Sequence, residues 1–171
     1  EFVFFDGDPN KKEENKKNAK DCVKRMIAKA NKKVIIADPY FTRVQFDEYI
    51  APLVDTPKEY VIVNCKDQLA EAARWQQKTL QEIEDEIPQC VASFNNNSSG
   101  CHVVFYIIQG QGRLHDRFVL ADEEGWLIGS SLGEFGGRAC SIVKLTDSAH
   151  MKLAESLSSW CNNRSISNII E

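Results

Sequence analysis

The pattern of apolar and polar residues predicts that strands and helices alternate in the first half of the chain. Phe2–Phe5 is a short apolar run, and 34–37 and 59–65 are runs rich in consecutive apolar residues, which is typical of strands buried on both faces. Between the first two runs, apolar residues recur at helical spacing over about 11–30, with lysines on the opposite face. A short helix is expected near 44–51.

From Leu69 onward, the apolar and polar pattern predicts one long helix followed by closely spaced strands. Apolar residues at helical spacing run from Leu69 to Ile87, and Pro88 is expected to end that helix before a polar loop at 95–100. The remaining predicted elements are strands at about 102–108, 114–121, 125–129 and 139–145 and a closing helix at 153–160. We therefore expect residues 1–171 to form a single α/β domain, an α/β/α sandwich with a mixed sheet.

Composition favours a soluble globular protein. An apolar fraction of 43% with 27% charged residues suffices for one hydrophobic core, and no apolar run approaches the roughly 20 residues that span a bilayer. The six cysteines lack a CxxC pair and zinc-ligand spacing, so we expect buried, reduced thiols in a cytoplasmic protein. The three tryptophans are expected in the core. Because the chain starts at Glu1 without a methionine, we expect it to be part of a longer protein.

Charge is distributed unevenly along the chain. The net charge is −4, yet residues 10–33 contain ten Lys or Arg against three acids. A basic helix on an acidic body is a possible nucleic-acid footprint. A charged, solvated helix face gives the same pattern, so the sequence leaves both interpretations open.

The candidate chemistry is concentrated in 110–122 and the following hairpin. Side chains two residues apart share one face of a strand, so His115 and Arg117 are predicted to project together. An imidazole can attack phosphorus or transfer protons, and a guanidinium can hold two phosphate oxygens. A turn that starts at Asp122 would bring Ser130, in a glycine–serine turn, back towards His115.

This segment resembles the signature of the phospholipase D-like superfamily. That signature is His-x-Lys, four residues, Asp, and about six residues to Gly-Ser-x-Asn. Here it reads His115-Asp116-Arg117, then Asp122, then Gly129-Ser130-Ser131-Leu132. The segment 35–41, an apolar run that ends in Asp38-Pro39-Tyr40-Phe41, is similar to an early strand and loop of the same domains. The resemblance implies the sandwich fold already predicted.

The resemblance also implies a mechanism and an oligomeric state. Two such motifs meet at a twofold axis in that family, where one histidine attacks phosphorus and the other protonates the leaving group without a metal or other cofactor. This chain has one motif, since His102 and His150 lack the matching spacing. We therefore expect a homodimer to bring two copies of His115 together.

Residue roles follow from the same resemblance. His115 would be the nucleophile or general acid, Arg117 and Ser130 phosphate ligands, and Asp122 the orienting carboxylate. Further substrate-binding candidates are Ser131, Arg113, Arg138 and Asp38, although a loop or turn role is as reasonable for Arg113 and Asp38. The function expected is a metal-independent phosphodiesterase, a nuclease acting on DNA or RNA, without a membrane partner.

Three departures from the signature support a competing hypothesis. Arg117 stands where the family has Lys, Leu132 replaces the Asn, and Arg138 is the nearest charged residue where active members have a later acid. The alternative is a catalytically degenerate module that binds phosphate, nucleic acid or another protein within a larger assembly.

Overall fold

The apolar runs become the central strands of one eight-stranded mixed sheet. We describe the protein from a computed structural model that covers residues 2–110 and 114–171. The strands are β1 Phe2–Phe5, β2 Lys33–Ala37, β3 Glu59–Cys65, β4 His102–Ile108, β5 Arg117–Ala121, β6 Glu124–Ile128, β7 Cys140–Lys144 and β8 Ser167–Ile170. Their order in the sheet is β1-β7-β6-β5-β2-β3-β4-β8. Strands β2, β3 and β4 are parallel, and every other pairing is antiparallel.

Helices cover the two faces of the sheet. They are α1 Lys12–Lys29, α2 Arg43–Tyr49, α3 Lys66–Trp75, α4 Leu80–Asn97 and α5 Asp147–Asn162, with 3-10 turns at Pro9–Lys11 and Ala51–Leu53. The larger core joins one face of the sheet to the first four helices. The smaller core joins the other face to α5 through Leu157 and Cys161. Alternate residues of the central strands β2 to β5 enter alternate cores, which confirms the predicted α/β/α sandwich with a mixed sheet.

The predicted helix from Leu69 to Ile87 is wrong, because the structure has two helices there. A capping box begins α4: the Thr79 hydroxyl accepts the Glu82 N–H, and the Glu82 carboxylate accepts the Thr79 N–H. Pro88 lies inside α4 and does not end it. The proline is exposed, whereas three later residues on the apolar face, Cys90, Val91 and Phe94, are buried. Burial of those side chains, at about 1.5–3 kcal/mol for each large one, outweighs the roughly 3 kcal/mol cost of the proline.

Four further details differ from the sequence prediction. Residues 95–97 of the predicted polar loop form the end of α4, and the edge strand β8 was not predicted. Strand β5 begins at Arg117, so His115 precedes the strand instead of lying on it. Among the tryptophans, Trp126 is buried as expected, but Trp75 is 59% exposed.

The loop between β6 and β7 is fixed against α1 by a close backbone approach. Gly136 has φ +80°, and a Cβ there would lie 2.4 Å from the Asn15 carbonyl oxygen and 2.8 Å from the Ala19 Cβ. Only glycine satisfies both the left-handed conformation and this contact. The position of the loop therefore depends on the packing of α1.

Replacing Gly136 should reveal how tightly that loop is held. We expect Gly136→Ala to lower the free energy of unfolding by about 2–4 kcal/mol, from backbone strain plus overpacking. Gly100→Ala is the matched control, since its φ is +115° but a Cβ would meet only Pro57, at 3.9 Å. Urea denaturation of both variants provides the measurement, and equal losses would contradict the close-packing argument.

Candidate active site

Three strand ends meet at one end of the sheet, and the predicted motif lies there. In the β2–β5 ladder Ala37 pairs with Phe118, and in the β5–β6 ladder Arg117 pairs with Ile128. The end of β2, the start of β5 and the end of β6 are therefore adjacent. This is the carboxyl end of the parallel strands, where open α/β sheets commonly bind ligands.

His115 is the most exposed of the predicted catalytic residues. It lies two residues before β5, and its side chain is 83% exposed. Its Nδ1 is 3.7 Å from the Asp116 carboxylate, which is too long for a hydrogen bond. Nδ1 faces this carboxylate, so Nε2 is the ring nitrogen suited to meet a substrate.

Arg117 begins β5 and projects towards the larger core, on the same face as Val119. Its guanidinium carbon lies 5.2 Å from the centre of the Tyr40 ring, a cation–π contact. Its Nε is buried and has no hydrogen-bond partner within residues 2–110 and 114–171. A buried cationic donor without a protein acceptor is suited to bind an anion.

Ser130 lies at the same end of the sheet as His115. Ser130 lies two residues after β6 and His115 two residues before β5, both beyond the Arg117–Ile128 pair that ends this ladder. The Gly129 N–H donates to the Ser141 carbonyl at 2.8 Å, which holds the chain beside β7. The Ser130 hydroxyl is buried, and no described residue hydrogen-bonds it. Arg117 and Ser130 therefore both carry uncommitted donors near the imidazole.

Asp38 is a fully buried carboxylate that organises this end of the sheet. It accepts the Leu132 N–H at 2.9 Å, the Tyr40 N–H at 2.9 Å and the Ser131 hydroxyl at 3.2 Å. Burial raises the pKa of Asp38, while these hydrogen bonds and the Arg117 charge oppose the rise. Asp38 and Ser131 are thus bonded to each other within the protein, an arrangement that positions the 130–132 loop.

Leu132 occupies the position at which the signature has a polar asparagine. Its side chain is 1% exposed and belongs to the larger core, and its carbonyl accepts the Tyr49 hydroxyl at 3.3 Å. The position that the signature gives to asparagine therefore contributes to packing in this protein.

Asp122 is not near the other motif residues, contrary to the sequence prediction. It follows the far end of β5, about 17 Å along the strand from Arg117, because each antiparallel residue advances roughly 3.4 Å. Its carboxylate accepts three backbone N–H groups, from Asn31 at 2.6 Å, Lys32 at 3.1 Å and Lys33 at 2.8 Å. Asp122 thus holds the α1–β2 connection and does not orient His115.

The remaining predicted ligands have different placements. Arg138 is exposed at the same end of the sheet, just before β7, and its backbone packs on Gly7. Arg113 lies outside the described residues. The basic segment is largely balanced by acids: five of its lysines form ion pairs, namely Lys16–Glu134, Lys20–Glu48, Lys24–Glu48, Lys29–Glu124 and Lys33–Glu59. These pairs favour the interpretation of α1 as a solvated, charge-balanced helix.

Sequence reasoning missed two aromatic residues beside the site. The Tyr40 ring, which makes the cation–π contact with Arg117, also stacks on the Trp75 ring. Their centroids are 5.0 Å apart and their planes meet at 22°. Tyr40 follows the Asp38-Pro39 pair that the sequence had already singled out. Trp75 falls off the apolar face defined by Leu69, Ala72 and Ala73, and that offset was a signal that it would not be a core residue.

Within residues 2–110 and 114–171, no three His, Cys, Asp or Glu side chains are grouped so that they could hold a metal ion. None of the helices there combines the length and apolar character needed to cross a bilayer.

Comparison with known proteins gives structural matches alone. No family model and no curated protein matches the sequence. TrmBL2, an archaeal chromatin protein with a described mode of DNA binding, matches 93% of this chain with a TM-score of 0.50 and 14% identity. Phosphatidylserine synthase of Haemophilus influenzae Rd KW20 matches 86% with a TM-score of 0.57 and 18% identity. NucT of Helicobacter pylori matches 94% with a TM-score of 0.57 and 12% identity.

The matches differ in how much of each neighbour they include. This chain spans 49% of TrmBL2 and 36% of the phosphatidylserine synthase, but 94% of NucT. At these identities the likeness establishes the fold only, the α/β/α sandwich with a mixed sheet that the sequence predicted.

The placement of Asp122 predicts an effect on stability. The N–H donors of Asn31 and Lys33 hold the pKa of Asp122 below its usual value of 3.8. A depressed folded-state pKa gives stability that is present above the unfolded pKa and lost as pH falls through the folded one. We expect Asp122→Asn to lower the free energy of unfolding by about 1 kcal/mol at neutral pH, and the difference from wild type to shrink below about pH 4.

The control for this prediction is Glu123→Gln, an exposed acid in the same turn. Chemical denaturation at several pH values measures all three proteins. Equal stability of Asp122→Asn and Glu123→Gln at neutral pH would contradict the structural role.

Proposed function

We propose that the protein is a metal-independent phosphodiesterase that cleaves nucleic acid, with His115 as its catalytic residue. One observation carries the proposal: an exposed imidazole lies at the sheet end where Arg117 Nε and Ser130 Oγ have no acceptor or donor partner in the described residues. A phosphodiester supplies what these groups need, namely an electrophilic phosphorus for the imidazole and anionic oxygens for the donors.

The proposed reaction proceeds in two displacements. Nε2 of one His115 attacks phosphorus, a P–N bond forms, the P–O bond to the leaving group breaks, and a second imidazole donates a proton to the departing oxygen. Water then attacks phosphorus, the P–N bond breaks, and the second imidazole takes the proton of that water. Arg117 and Ser130 hold the non-bridging oxygens, while Asp38 keeps the 130–132 loop in place.

The second imidazole would come from another copy of the chain. His102 and His150 cannot supply it: His102 starts β4 at the opposite end of the sheet, paired with Glu59, and His150 is 9% exposed within α5. A C2 dimer presents the same surface twice and so can place two His115 rings in one cleft.

Nucleic acid is the substrate that we favour. TrmBL2, which shares the fold over 93% of this chain, has a described mode of DNA binding. The exposed position of His115 admits a polymer, which a closed pocket would exclude.

A non-catalytic binding module is the second candidate. The observation that favours it is the burial of Leu132, which leaves the site one polar ligand short of the signature that it resembles. Such a module would keep Arg117 and Ser130 as phosphate ligands without turnover.

Removing the imidazole should separate the two candidates. We expect His115→Ala to reduce hydrolysis of bis(p-nitrophenyl) phosphate in EDTA by at least about 1000-fold, because the nucleophile is lost. His102→Ala is the matched control, an exposed histidine at the far end of the sheet, and it should retain wild-type activity. Turnover that is undetectable in wild type would leave only the binding module, and turnover that is equal in His115→Ala would contradict His115 as the catalytic residue.

Mixed dimers should show whether two copies share one site. When wild type and His115→Ala are co-expressed in equal amounts with different tags, random pairing makes about one quarter of the dimers fully wild type. A shared site therefore predicts about a quarter of wild-type activity, and isolated mixed dimers should be inactive. Independent sites predict about half, and isolated mixed dimers would then keep half of their activity.

A further inference from the structure

An exposed indole adjoins the proposed site. Trp75 ends α3, is 59% exposed, and stacks in nearly parallel planes on Tyr40. The Tyr40 hydroxyl donates to Glu71 at 3.2 Å, which restrains the ring, and the same ring also lies 5.2 Å from the Arg117 guanidinium carbon. Tyr40 therefore contacts both Arg117 and the solvent-exposed indole.

A groove runs along this aromatic pair. Its volume is about 190 Å³, and the residues that line it include Tyr40, Val44, Trp75, Gln76, Ser131 and Gly133. The Gln76 Nε2 donates to the Thr42 hydroxyl at 2.9 Å, whereas its buried Oε1 has no hydrogen-bond partner in the described chain. The groove thus offers an aromatic wall and a fixed, uncommitted acceptor.

We propose that this groove binds an unpaired base of a single-stranded nucleic acid whose backbone lies at His115. The inference rests on the proposed function, because Ser131 and Arg117 connect the groove to that site. Every base has a π-face that stacks on an aromatic side chain, and the exocyclic amino group of A, C or G can donate to the Gln76 oxygen. A duplex keeps its bases stacked and paired, so it presents no free π-face to the indole.

Binding of defined oligonucleotides tests the inference. The probes are a fluorescein-labelled single-stranded 12-mer, an abasic strand of the same length, and the blunt duplex, measured by anisotropy at one fixed salt concentration. We expect Trp75→Ala to weaken binding of the single strand by about 5-fold or more. The loss should be restricted to the base-bearing single strand, and Trp75→Phe should recover most of it.

The matched control is Met151→Ala, which removes another exposed apolar side chain from α5, on the other face of the sheet. It should bind all three probes as wild type does. Melting temperature, measured for every variant, shows whether a weakened variant remains folded.

The outcomes distinguish this inference from the proposed function. Single-strand binding that is unchanged in folded Trp75→Ala, or a loss equal for the abasic strand, would overturn the groove as a base site. Hydrolysis that does not depend on His115, combined with base-dependent loss in Trp75→Ala, would overturn the phosphodiesterase and leave a single-strand binder. If Trp75→Ala does not fold, the same comparison is decided with Trp75→Phe and with Gln76→Ala, each expected to lose part of the base-dependent affinity.

Discussion

The arrangement of the site depends on one buried carboxylate. The Asp38 carboxylate accepts hydrogen bonds from the backbone N–H groups of Tyr40 and Leu132. It thereby joins the end of β2 to the loop after β6. Because a buried carboxylate is costly without such donors, its presence requires both segments to stay in place. The Arg117 charge, which follows from the β2–β5 register, offsets part of that cost. Removal of Asp38 would therefore affect the loop, the Tyr40 ring and the arginine together.

The residues of the predicted motif lie at two opposite ends of the sheet. At one end Asp122 is an acceptor for three backbone N–H groups and fixes the α1–β2 connection. At the other end the hydrogen-bonding groups of Arg117 and Ser130 have no partners among the described residues. A motif that is contiguous in sequence is thus divided between two ends of one strand. Asp122 therefore holds a backbone connection at one end of the sheet, while Arg117 Nε and Ser130 Oγ lie at the other end.

Ion pairs neutralise part of the positive charge on helix α1. Four lysines of α1 form ion pairs with Glu48, Glu124 and Glu134, mostly at partly exposed positions. Exposed pairs contribute little to stability, but they reduce the positive potential of that face. Under the proposed function, the Arg117 guanidinium and the aromatic pair of Tyr40 and Trp75 would then be the more specific attraction for a nucleic acid.

The sequence by itself determined strands β1 to β7 and the helices α1, α2 and α5, because apolar periodicity follows directly from which side chains must be buried. It also predicted His115, Arg117 and Ser130 as site residues, and the structure places these three at one end of the sheet. It did not determine the end of α4, where burial of Phe94 outweighs the local effect of Pro88. Only the tertiary structure decided that Asp122 serves the opposite end of the sheet, that Asp38 is the organising carboxylate, and that Trp75 meets Tyr40. These outcomes depend on register and packing between segments far apart in the chain, and no local pattern encodes them.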